Sequence, residues 1–147
     1  MRKQHVLDWI HKVSTPNTNL LNFPICPYAK NAKYDIIETS IENLIPDPSK
    51  EVIIFIVEDE LTLPEIEKWV DYYNDKYPEW DFFEDTPHVN HYINSVQTSN
   101  GKYNLILAQP KILLREKRKA LSKGKYYSLW EREYLEKIMK NDIDLVD

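Results

Sequence analysis

The sequence predicts an α+β domain built on an antiparallel or mixed sheet, with helices mainly on one face. Three segments carry that expectation. Val52–Val57 is an unbroken run of β-branched and aromatic residues, the composition of a central strand buried on both faces. Thr62 followed by Glu65 is a capping box, and Ile66, Trp69, Val70, Tyr73 and Tyr77 then fall on one helical face. Ser99-Asn100-Gly101 separates His91–Thr98 from Lys102–Gln109. Asn-Gly tolerates the positive φ of a type I′ turn, so these two stretches are expected to pair as a hairpin.

The other elements follow in order. Val6, Leu7, Ile10 and Val13 recur at helical spacing within Gln4–Val13, and Ser14-Thr15-Pro16-Asn17 ends that helix. Cys26-Pro27 reads as a helix start, because proline suits the first helical position. That helix must be short, since Tyr34–Thr39 reads as a strand. Pro46-Asp47-Pro48-Ser49 is a turn, Pro78 stops the strong helix, and Trp80–Phe83 is a short strand. Pro110 opens a helix to about Leu121, with Gly124 just beyond its end. Ser128 with Glu131 forms a second capping box, opening a last helix that carries Trp130, Tyr134, Leu135 and Ile138. No repeat or linker interrupts the 147 residues, so residues 1–147 are read as a single α+β domain. From Val52 to Leu121 the order is βαβ(ββ)α, which is broadly ferredoxin-like, with extra N- and C-terminal helices.

Composition argues against several functions. Two glycines in the whole chain leave no Gly-rich loop to cradle a nucleotide phosphate. The net charge of −5 lowers the expectation of nucleic-acid binding. The one basic run is Arg115, Lys117, Arg118, Lys119, Lys123 and Lys125, followed by Tyr126 and Tyr127. Such a run could pair phosphates and stack bases. It reads first as a solvated helix face with cations near a helix C-terminus. A single cysteine cannot form an internal disulfide, no apolar stretch follows Met1-Arg2-Lys3, and no run approaches the roughly 18 apolar residues of a membrane span. A cytoplasmic location, no membrane and no cofactor are therefore expected.

Cys26 is the first chemical candidate. Free N–H groups and the positive dipole end of a helix start would stabilise its thiolate, with Lys30 and Lys33 adding positive potential. The plainer reading is a small apolar side chain tucked among Phe23, Ile25 and Tyr28, where burial keeps a thiol inert. Asp85, His88 and His91 are spaced three apart, which on a helix would align metal ligands. Thr86-Pro87 predicts loop and strand instead, where such residues point to opposite faces, and only Cys26, His5 and His11 could complete a set. No metal site is expected. As acid–base groups, His88 or His91 beside Cys26 would make a nucleophile with its base, against the plainer reading of surface histidines in a polar loop.

Cys26-Pro27-Tyr28 resembles the start of the glutaredoxin active site. That resemblance implies a strand before the cysteine, a long helix after it, and glycines downstream. Thr18–Phe23 is a poor strand, the helix has no room before Tyr34, and the glycines are missing, so the thioredoxin-like fold is set aside. A second resemblance covers more of the chain. Trp9, Cys26-Pro27-Tyr28-Ala29-Lys30, His91-Tyr92-Ile93-Asn94 and Leu113-Leu114-Arg115 resemble, in order, the motifs of an uncharacterised bacterial family. Members of that family carry an N-terminal Trp helix, a Leu-Cys-Pro-Phe-Ala-Lys segment, and later Asn-Tyr-x-Asn and Leu-Leu-Arg segments. The first strand differs in length. The family has no assigned activity, and the resemblance implies only that Cys26, Asn94 and Arg115 meet at one place.

Two functions from different classes follow. One is a small adaptor that binds a protein partner or itself, suggested by abundant Tyr and Trp and no convergent catalytic signature. The other is an enzyme or redox-responsive protein using the Cys26 thiolate with a loop histidine as base.

Overall fold

The computed structural model describes residues 1–29 and 31–146. Its helices are α1 (Arg2–Ser14), α2 (Leu63–Lys76), α3 (Lys111–Ser122) and α4 (Arg132–Ile138). Its strands are β1 (Tyr34–Thr39), β2 (Val52–Val57), β3 (Trp80–Asp85), β4 (Tyr92–Ile93), β5 (Val96–Gln97) and β6 (Leu105–Pro110). Four strands form a mixed sheet in the order β1-β2-β6-β3, and β4 with β5 form a separate pair. β1 lies parallel to β2, while β6 runs antiparallel to both β2 and β3. β2, α2 and β3 therefore make a split βαβ unit with β6 inserted between its strands. The α+β class with a mixed sheet is the one the sequence predicts.

β2 sits inside the sheet with both faces covered. Ile53, Phe55 and Val57 pack under α2 with Ile66, Val70, Tyr73 and Phe82. Ile54 and Ile56 point the other way, to Val6 and Ile10 of α1 and to Leu105 and Leu107. α3 and α4 line the α1 side, so three of the four helices lie on one side of the sheet. The α2 capping box forms as expected: the Thr62 hydroxyl accepts from Glu65 N, and Glu65 Oε1 accepts from Thr62 N at 3.0 Å. The Tyr73 hydroxyl donates to Ile41 O and accepts from Leu44 N at 3.2 Å, tying α2 to the β1–β2 connection.

β3 is an edge strand. The Asn74 side chain accepts from Phe82 N at 2.8 Å and donates to Phe82 O at 3.0 Å. One amide thus takes the place of a neighbouring strand and blunts an edge that would otherwise invite pairing. Among the described residues no helix is long and apolar enough to cross a membrane.

Three local expectations are corrected. The expected pairing of His91–Thr98 with Lys102–Gln109 does not form: β6 pairs with β2 and β3, and a different, smaller hairpin, β4 to β5, lies inside 91–98 with its turn at Asn94-Ser95, at φ of 45° and 70°. Asn100 is buried instead: its Oδ1 accepts from Lys102 N and Tyr103 N, and its Nδ2 donates to Asp85 and to Tyr103 O. Those side-chain bonds hold the 98–104 segment as a loop, with Gly101 at φ +72°, and displace the ladder the Asn-Gly pair would have begun. Cys26-Pro27 opens no helix. Ala29 N bonds to Cys26 O and Asn31 N to Tyr28 O, both at 3.3 Å, as two successive turns before β1. The second capping box is absent because Ser128 Oγ donates back to Lys125 O at 2.6 Å, closing a 3-10 turn over Tyr126–Leu129. Glu131 then precedes α4 without a side-chain cap.

Candidate ligand cavity

A cavity of about 450 Å³ is lined mostly by the α1 side of the sheet and also reaches Glu67, Val70 and Asp71 of α2. Strand alternation supplies its floor, with Tyr34, Ile54, Phe83 and Leu107 directed away from α2. Trp9 and Val13 of α1, the Cys26 turns, Leu114 and Leu121 of α3, and residues 126–140 wall it. α1 is held over this face by Trp9 Nε1 donating to Thr98 O at 3.0 Å and by a 3.2 Å contact of His5 Nε2 with Asn100 O. Cys26 N donates to Val13 O at 2.7 Å, which seats the turns against the end of α1.

Several polar groups reach the cavity. The Tyr126 hydroxyl donates to Ile25 O, and Tyr134 Oη lies 3.3 Å from Thr98 Oγ1. Burial pushes the Tyr127 phenol up to about 12, and the Tyr126 phenol well above its ordinary range. Both hydroxyls stay protonated near neutral pH. Arg118 is buried and donates to Asp142 Oδ2 at 2.9 Å and to Ile138 O at 3.1 Å, which fastens the C-terminal segment onto α3. Asp81 is also buried and lines the cavity.

Cys26 is half-buried in the cavity wall. Burial pushes its thiol up, against the opposing pull of the Tyr28 and Ala29 N–H groups and the Lys117 charge. A neutral thiol at pH 7 follows, as the plainer reading of this residue has it. Lys117, whose Nζ sits 5.3 Å over the Tyr28 ring, supplies the positive charge expected of Lys33. Lys30 lies outside the described residues.

Of the remaining candidates, His91 lines the same cavity as Cys26, whereas His88, Asn94 and Arg115 do not. His88 Nε2 contacts Leu61 O at 2.8 Å, and His91 stacks on Tyr134 with ring centres 5.0 Å apart. Burial, then the Lys137 charge, lowers the His91 pKa. No hydrogen bond joins Cys26 to either histidine among the described residues. Asn94 Nδ2 donates to Asn19 O at 2.6 Å, while Arg115 pairs with Asp142 and Asp144 at 3.0 and 2.8 Å. No contact brings Cys26, Asn94 and Arg115 together among the described residues. Nor does any group of three or more His, Cys, Asp or Glu side chains there form a metal site. Three of the six cations in the basic run are paired: Arg115 and Arg118 face aspartates, and Lys117 lies 3.9 Å from Glu51.

Sequence reasoning missed Asp81 and the Arg118–Asp142 pair, and read Tyr127 only as an aromatic partner of the basic run. One signal was present. In Trp80-Asp81-Phe82-Phe83 a charge occupies an inward strand position between aromatic residues. Compared with known proteins, the chain matches no family model, no curated protein and no solved structure.

Proposed function

We propose that this protein binds a small, largely apolar molecule in the cavity beneath α1. The observation that carries the reading is the cavity itself. Its volume of about 450 Å³ falls within the range typical of small-molecule sites, and aromatic and aliphatic side chains share its lining with polar and charged ones such as Asp81 and Arg118. In this reading Cys26 is a wall group whose neutral thiol contacts the ligand.

The test is titration with indole and naphthalene derivatives followed by NMR. Shifts are expected at Trp9, Tyr126 and Trp130, which line the cavity. Leu121→Trp fills the space and should abolish them while circular dichroism stays unchanged. Binding that survives Leu121→Trp, or shifts confined to another surface, overturns the proposal.

An adaptor role has thinner support. Leu7, Leu21, Ile45, Tyr72, Tyr92 and Ile112 are exposed, yet they sit on separate segments of the chain. A stable complex in pull-down that involves these side chains would favour it. The Cys26–histidine enzyme has no hydrogen bond to support it. Kinship with the Leu-Cys-Pro-Phe-Ala-Lys family is proposed on its motifs, aided by Trp9 and Cys26 lining one cavity.

A further inference from the structure

Asp81 is 6% exposed, and its side chain makes no hydrogen bond or ion pair with any described residue, although its backbone is paired with Gln109 of β6. β3 turns Trp80 and Phe82 toward α2, so alternation directs Asp81 to the cavity side. The other inward carboxylates on this side are satisfied. Asp142 accepts from Arg115 and Arg118, and Asp85 accepts from Asn100 N at 2.9 Å. The nearby cations do not complete Asp81. Arg118 is bonded to Asp142 and Ile138 O, while the charges of Lys111 and Lys140 are felt without contact. A buried carboxylate without a partner is costly to fold around, and such groups concentrate where a ligand supplies the missing partner.

We infer that Asp81 is the polar anchor of the cavity and selects a ligand that carries a protonated amine or amidinium on an apolar body. The inference rests on the cavity reading above. An ionised carboxylate only accepts hydrogen bonds, so the complementary group is an N–H donor, and a charged donor makes the strongest bond. The aromatic lining is compatible with such a ligand, because Tyr126, Tyr127 and Trp130 line the cavity and aromatic rings attract cations. Burial raises the pKa of the Asp81 carboxyl. A bound cation opposes that shift, so amine binding favours the ionised form.

The experiment uses three probes of nearly one shape: tryptamine, the neutral 3-ethylindole and the anionic indole-3-propionate. Each is titrated by calorimetry into the full chain and into Asp81→Asn. The wild-type protein should prefer tryptamine over 3-ethylindole by about tenfold or more and should bind the propionate least. Asp81→Asn should erase the preference for the amine, read as the ratio of tryptamine to 3-ethylindole affinity within the variant. Equal affinities for amine and neutral probe in the wild type, or a preference that survives in Asp81→Asn, overturns the role of Asp81 but leaves the cavity standing. If none of the three binds, or if binding ignores Leu121→Trp, the cavity reading fails and this inference falls with it. Should Asp81→Asn not fold, the wild-type preference and the carboxyl carbon shift of Asp81 on adding tryptamine decide instead.

Discussion

Removing the Asp142 carboxylate tests how the C-terminal segment is held over the cavity. It accepts from Arg118 Nη1 at 2.9 Å and from Arg115 Nη1 at 3.0 Å. Asp142 and Arg118 are both buried. Asp142→Ala leaves the Arg118 guanidinium enclosed with a single acceptor, Ile138 O at 3.1 Å. Removing one partner of a buried pair costs about 3–5 kcal/mol. The surviving bond to Ile138 O reduces that, so about 3 kcal/mol is expected, a large share of the roughly 5–15 kcal/mol that stabilises a domain. At this chain length the melting temperature should fall by roughly 6–12 °C. Arg118→Met keeps much of the side-chain volume and removes the buried charge. The double variant Arg118→Met/Asp142→Ala should therefore be more stable than the sum of the single losses allows, by about 2 kcal/mol. Urea denaturation of the wild type and the three variants closes the cycle. Hydrogen exchange then locates the damage, with amides of 132–139 exchanging faster relative to those of β2. A coupling below about 0.5 kcal/mol, or a cost of Asp142→Ala below about 1 kcal/mol, would refute the claim that this pair clamps the cavity wall.

Three further outcomes are expected. Alkylation of Cys26 by iodoacetamide should accelerate only above the ordinary thiol pKa of about 8.5, because burial holds the thiol neutral; a rate already maximal at pH 7 contradicts this. Tyr73→Phe strands Leu44 N–H and the Ile41 carbonyl in the core and should cost about 2 kcal/mol without changing cavity binding, as read by denaturation and titration. The pKa of His91 is lower in the folded chain than in the unfolded one, so below about pH 6.5 the unfolded state binds more protons. Its contribution is therefore complete above that pH and is lost as the pH falls through the folded-state value. His91→Phe, which keeps a ring against Tyr134, should flatten the drop in urea midpoint between pH 7 and 5; an unchanged slope would count against the assignment.

The sequence by itself determined the elements whose signals are local. β1 and β2 lie where the β-branched runs put them, and α2 starts at its capping box because Thr62 and Glu65 satisfy each other within one turn. The unbroken apolar run of β2 also determined that both its faces are covered. Tertiary structure decided the rest wherever a side chain had partners far along the chain. Asn100 reads as a turn residue in isolation, but its bonds to Asp85 and Tyr103 make it the centre of a buried loop, and the expected 91–98 with 102–109 pairing gives way to a different hairpin turning at Asn94-Ser95. Cys26 reads as a helix start, but the bond from its N–H to Val13 O sets it in the wall of a cavity. That cavity was not legible at all, because Trp9, Cys26, Asp81 and Tyr127 are widely separated in sequence and no spacing rule links them. Periodicity and capping are energies of neighbours within a few residues, whereas a cavity and the charge left unpartnered beside it exist only once distant elements have packed.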